Sequence, residues 1–227
     1  IDTLAHSEKP CTVCFLGADA PSLPNNVSFA RTLKATAELA TGRSSKNKRP
    51  EFKSIIPHVT TGHQRIHGLF CGGTLSSEAQ VVFLDQGVSV ASNAPIPGAE
   101  AVGSETSHVL IDLGSDEYTR GRPHPMIDPT VRDEELTKAL ADPTLAVILL
   151  DVVIGFGAHP DPAGTIVRVV AAAGTERPIV VASVTGTDDD PQDRRTQMAK
   201  LVDGGIVVAP TNADAATLAL SCLVRDD

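Results

Sequence analysis

Arg120, Arg122 and His124 fall within five residues of one another in the polar stretch SDEYTRGRPHPMID. Guanidinium forks match the paired oxygens of carboxylates and phosphates, and an ammonium is a poorer substitute. On a loop stiffened by Pro123 and Pro125, the two arginines read as an anion clamp, with His124 placed for proton transfer. Asp116, Glu117 and Asp128 lie in the same stretch and offer local neutralisation instead, so residue type alone leaves both arrangements open. A second anion site is written at Gly72-Gly73-Thr74, where a strand gives way to a helix. Two glycines allow close approach, the first helical N–H groups have no intrahelical partner, and the nearest acid along the chain is Glu78, a full turn in. The glycines also suit a plain tight turn. His159 follows Gly155 and Gly157, where it can shuttle a proton, accept a phosphoryl group or bond a neighbouring loop. Asp112 and Asp151 end two apolar runs and are expected to organise the loops containing Gly114 and Gly155 by accepting backbone N–H bonds. No Ser-His-Asp spacing, H-E-x-x-H or Walker A string occurs.

Those residues need a scaffold that gathers loops at one edge, and the pattern supplies it. The runs HVLIDL, LAVILLD and PIVVASV each open into a Gly-containing loop and then an Asp-Pro step: Asp128-Pro129, Asp161-Pro162 and Asp190-Pro191. Asp is a good N-cap and Pro is preorganised for the first helical position. Strand–loop–helix units in series predict a parallel sheet with helices on both faces. Strands are predicted at 66–71, 108–113, 145–151, 178–184 and 206–209, with helices at 74–84, 131–140, 163–173, 191–202 and 213–223. The fold class is therefore α/β, a flavodoxin-like three-layer sandwich around a parallel five-stranded sheet. In such folds ligands sit beyond the carboxyl ends of the strands. Residues 86–106 read as loop, with a short edge strand available at 86–91.

Residues 1–42 repeat the end of the chain. VSFARTLKATAELA (27–40) lies over IVVAPTNADAATLA (206–219), and KPCTVCFLG over RPIVVASVTG. The segment thus reads as the C-terminal piece of a related α/β domain, 43–64 as a linker, and 65–227 as the second unit.

A net charge of -9 and only 3% aromatic residues argue against nucleic-acid binding. No apolar run approaches the roughly 20 residues of a membrane span. Cys11 and Cys14 fall on a predicted strand, where positions three apart face opposite ways and cannot share a metal. Four cysteines are read as buried thiols in a reducing, cytoplasmic setting, and no metal is expected.

At these residues the chain resembles a known family. IDLGSDEYTRGRPHPMIDP, LLDVVIGFGAHPDPA and VTGTDDDPQ are similar to the FdrA proteins, a branch of the succinyl-CoA synthetase superfamily, over about residues 1–224. The resemblance implies a CoA-binding domain followed by two flavodoxin-like CoA-ligase domains and no ATP-grasp domain. CoA would then be held upstream of Ile1, and the nucleotide stays open. It places Gly72, Gly73 and Thr74 on the glycine turn that faces a phosphorylated histidine, Asp112-Leu113-Gly114 on an Asp-Val-Gly loop, and Gly155 in the strand-three glycine loop. The sequence departs from the superfamily after the fourth strand, where Gly186-Thr187-Asp188 stands in place of a Gly-His-Ala-Gly segment. The corresponding loop of residues 1–42, GADAPSLPNN, also lacks a histidine. The implied function is an enzyme subunit handling an acyl phosphate and a small carboxylate, as in carbamoyl transfer to oxamate during ureide breakdown. It would work in an oligomer with other enzyme subunits. Two alternatives are an ATP-dependent ligase with ATP-grasp function in trans and a non-catalytic assembly or ligand-sensing module.

Overall fold

A computed structural model describes residues 1–43, 64–104, 106 and 108–223. The chain begins with a single helical turn α1 (Asp2–Ala5), then β1 (Cys11–Cys14), β2 (Val27–Ala30) and α2 (Leu33–Thr41). The second unit runs β3 (Arg65–Phe70), α3 (Gly73–Asp85), β4 (Ala91–Ser92), β5 (Glu100–Ala101), β6 (Val109–Asp112), α4 (Asp116–Thr119) and α5 (Thr130–Leu140). It continues with β7 (Leu145–Val153), α6 (Pro162–Ala172), β8 (Ile179–Thr185), α7 (Arg194–Asp203), β9 (Val207–Ala209) and α8 (Asn212–Ser221).

Seven strands form one all-parallel sheet in the order β5-β4-β6-β3-β7-β8-β9. The five expected strands are its body, β6-β3-β7-β8-β9, and the sheet is two strands wider than expected. The addition is β4 and β5, two residues each, from a stretch too rich in small polar residues to show a strand period. β7 is the spine: LAVILLDVV is buried at every residue but the last, as a strand covered on both faces requires. Chain order reverses at β3, which lies between β6 and β7. The crevice beyond the carboxyl ends of β3 and β7 is therefore the topological switch point.

From Val147 onward the strand residues of β7 alternate between the two halves of the core. Leu149 and Val181 pack with Phe70, Phe83 and the α3/α8 side chains, whereas Ile148, Leu150 and Val180 pack with Leu136, Ile166 and Leu201 of α5, α6 and α7. The cap chemistry follows the sequence in part. Asp161 accepts from the Gly164 amide with Pro162 at the first helical position. At α5 the Asp128 carboxylate takes the amide and hydroxyl of Thr130. At α7 the expected cap moves: Asp190 closes its own loop on the Thr187 amide, and Asp193, at a φ of 54°, caps the helix through the Thr196 amide.

The N-terminal segment packs on the α3/α8 face. β1 and β2 pair in parallel, and α2 ends at Gly42 in the left-handed region. The repeat seen in the sequence has a structural form. Thr32 caps α2 through the Ala35 amide, and Thr211, its counterpart, caps α8 through the Asp214 amide. Glu78 of α3, 1% exposed, fastens the segment: Oε1 accepts from the Leu33 and Lys34 amides and Oε2 from Asn212. Arg31 pairs with Asp85 and Lys34 with Asp214. Apart from Arg43 and Gln64, the expected linker lies outside the described residues.

Candidate functional site

The Gly72–Thr74 turn sits at the carboxyl end of β3, in the switch-point crevice. No side chain caps α3. Thr74 is exposed, and the Gly73 and Thr74 amides meet no acceptor among the described residues. The acids beside this turn are Asp151 and Asp112, delivered by the neighbouring strands, while Glu78 turns away to α2. Asp151 accepts from the Cys71 amide at 2.7 Å and the Gly72 amide at 2.8 Å. A Cβ on Gly73 would stand 2.7 Å from Asp112 Oδ2, so the close approach needs a glycine there. The parallel register explains the convergence, since Phe70 pairs with Asp112 on β6 and Leu69 with Leu150 on β7.

Asp112 is held from three sides. Its Oδ1 accepts from the Gly114 amide at 2.8 Å, and Asn93 brackets its backbone, donating to the carbonyl and accepting from the amide. Burial pushes its carboxyl above the usual range, opposed by the Gly114 amide and by His124. His124 lies directly over Gly114, where a Cβ would meet its Nε2 at 2.7 Å and the Cys71 carbonyl at 2.9 Å. Its Nδ1 accepts from the Met126 amide at 3.2 Å, which assigns the proton of the neutral ring to Nε2, the nitrogen facing Gly114. The helix end, Asp112 and His124 thus come together at one point.

Arg120 and Arg122 follow the single turn of α4 and are exposed. Neither makes an ion pair among the described residues, and Asp128 is engaged by Thr130. His159 serves as a joint between loops. Its Nδ1 accepts from the Asp161 amide, its own amide donates to the Met126 carbonyl at 2.7 Å, and its carbonyl accepts from Gln192. Gln192 also makes a pair of bonds with the backbone of Gly155, whose φ is 138°. Between the positive-φ glycines 155 and 157, Phe156 is 93% exposed.

Sequence reasoning missed Asn93, Gln192 and Arg132. Arg132 is 2% exposed and reaches from α5 to Cys71 Sγ and the Asp151 carbonyl. Burial pushes the Cys71 thiol to about 12, so it is neutral and a poor nucleophile. No group of three or more His, Cys, Asp and Glu among the described residues could hold a metal ion. An open groove of about 1000 Å³, lined by Leu140, Asp142, Arg168, Glu176 and Arg177, lies at the opposite rim by the start of β7 and β8. It shares no residue with the α3 turn. No helix among the described residues is long and apolar enough to cross a membrane.

Comparison with known proteins agrees with this architecture. An uncharacterized protein of Escherichia coli (strain K12), YahF, is 34% identical over 238 residues, covering 96% of this chain and 46% of the relative. The chain thus spans about half of that relative's length. Among solved structures, the apo form of the dinucleotide-forming acetyl-coenzyme A synthetase 1 of Ca. Korarchaeum cryptofilum aligns with a TM-score of 0.50. That alignment has 16% identity and covers 86% of this chain and 38% of the other. The protein PH0766 from Pyrococcus horikoshii OT3 aligns at a TM-score of 0.49 and 15% identity, covering 86% of this chain and 40% of the other. The profile of the family described as CoA-ligase matches residues 69–222, from the third residue before the α3 turn to the end of the last helix. The chain belongs to the CoA-ligase family.

Proposed function

We propose that the rim around the α3 turn binds the phosphate of an acyl phosphate in an acyl-CoA-synthetase-like enzyme subunit. The observation that carries this is the pair of Gly73 and Thr74 amides, without acceptors among the described residues, beside exposed Thr74 at an uncapped helix end. A helix N-terminus presents N–H groups and a partial positive charge to an anion. Arg120 and Arg122, exposed on the next loop, hold the small carboxylate in this reading, and His124 moves the proton. Catalysis then comes from orientation and charge stabilisation. Carbamoyl phosphate with oxamate fits these roles, one acyl phosphate and one carboxylate. CoA is not assigned to these residues. The same reading takes residues 1–42 as the end of a first ligase-like unit and 65–227 as a second, working in an oligomer with other subunits.

Calorimetric titration with inorganic phosphate, carbamoyl phosphate and oxamate tests the proposal, on the wild type and on Arg120→Ala/Arg122→Ala. Binding of both ligand types is expected, with oxamate weakened about tenfold or more in the double variant, the scale of a lost charged contact. Absence of binding by any of the three, or an unaltered oxamate affinity, sinks the respective half of the reading. A binding or assembly module is the second reading. The observation favouring it is that Asp151 and Asp112 already place negative charge at the helix end.

A further inference from the structure

Beneath the candidate site lies a buried charge that none of the roles above uses. Arg132 rises from the first turn of α5, on the sheet face opposite α3, and is 2% exposed. Its Nη1 lies 3.4 Å from the Asp151 carbonyl and 3.5 Å from Cys71 Sγ, while its Nε is buried with no acceptor among the described residues. It makes no ion pair within 4.0 Å among those residues. Asp151, fully buried, spends both carboxylate oxygens on the adjacent amides of Cys71 and Gly72. The ionised form does this best, because protonation turns one of the two oxygens into an O–H donor and a weaker acceptor.

We propose that Arg132 is a positioning residue of the site: its buried charge keeps Asp151 in the two-acceptor form that locks the Cys71–Gly72 turn and so presents the Gly73 and Thr74 amides. Burial raises the Asp151 carboxyl above its ordinary value; the Cys71 amide, Arg132 and the Gly72 amide oppose that rise, and Arg132 is the cation among the groups acting on it. The other groups facing Asp151 supply no positive charge. Cys71 at the end of β3 is a neutral thiol, Ser183 stands beside Asp151 in register on β8, and Asp112 across the turn is itself an acid. Arg132 also acts on Asp133, its neighbour on α5, without a contact within 4.0 Å. Its field reaches the turn through Asp151. The effect on ligand binding rests on the site reading above, whereas the coupling within the turn does not.

The test follows the Asp151 carboxyl carbon by NMR across pH, together with exchange of the Cys71 and Gly72 amides, in the full chain. In the wild type, protection of the two amides should fall at the pH where Asp151 takes up its proton. In Arg132→Met that midpoint should rise by about one unit or more, within the range that a neighbouring charge produces. Exchange of the two amides at neutral pH should then quicken by about tenfold or more. Arg132→Lys, which keeps the charge and loses the fork, should restore the midpoint. An unmoved Asp151 midpoint in Arg132→Met, or equal amide exposure in the Lys and Met variants, overturns the role. Should Arg132→Met not fold, the wild-type series decides: amide protection persisting below the Asp151 midpoint overturns it. Sulfate titration of the same samples separates the two ideas. A responsive turn without sulfate binding rejects the anion site and keeps Arg132's role, and sulfate binding over an unresponsive turn does the reverse.

Discussion

Asp112 and Asp151 face the same helix end but answer to different constraints. Burial raises the Asp112 carboxyl above its ordinary value, so the folded chain holds that proton more tightly than the unfolded chain. Its stabilising contribution is complete below the unfolded value and is lost as pH rises through the raised folded value. Asp112→Asn should therefore flatten the stability profile from the ordinary carboxylate range upward and leave Tm at neutral pH no lower than wild type. Calorimetric melts across pH check this, and a profile as steep as wild type would count against it. Asp151→Asn behaves differently, because its new NH2 would confront one of two buried amides. A loss of about 1–3 kcal/mol is expected, the usual cost of leaving a buried donor unsatisfied, measured by urea unfolding. Asp112 was legible as a strand-end residue that accepts a backbone N–H of its own glycine loop. Asp151 instead lies two residues inside β7 and serves the β3–α3 turn, the Gly155 loop being held by Gln192. What the linear sequence hid is that both acids meet the α3 turn, since Phe70 and Asp112 lie 42 positions apart and only the β3–β6 register joins them. Arg132 was hidden for a related reason. A charged residue in the first turn of a helix reads as solvated, and its burial depends on which way α5 is laid against β3 and β7.

At the scale of elements, the strand–loop–helix grammar was readable wherever Asp-Pro or a long apolar run marked a boundary. β7 announced itself by the apolar run Leu145–Leu150, although it continues two residues past the expected end at Asp151, and α6 by Asp161-Pro162. The short edge strand offered at 86–91 is found at Ala91–Ser92 as β4, and β5 carried no mark, both being too short for a period of two to show. The α7 cap illustrates local competition. Asp190 and Asp193 both lie near the helix start, and the chain spends the first on closing its loop with Thr187. Asp193→Ala should cost about 1 kcal/mol through the lost cap, and more through the positive φ that alanine tolerates poorly. Chemical denaturation gives the number, and a neutral result would mean that the cap is dispensable.

For the whole molecule, the joint between the N-terminal segment and the second unit is a single buried carboxylate with ion pairs around it. Glu78→Ala would leave the Leu33 and Lys34 amides and the Asn212 side chain without their acceptor. About 2–3 kcal/mol of docking should be lost, as for other hydrogen bonds to charged groups. Hydrogen exchange in α2 should quicken while that of β7 stays slow. Uniform quickening in both would show the two parts to be one cooperative block instead.

Met126 ties the two candidate histidines into one linkage. Its amide leans on the lone pair of His124 Nδ1, and its carbonyl takes the amide of His159. A proton arriving on Nδ1 replaces that lone pair with an N–H, and two donors then face each other across 3.2 Å. That contact is then lost, and Met126 keeps the bond its carbonyl accepts from the His159 amide. Acid delivered to one imidazole thereby loosens one end of the strap that runs to the other.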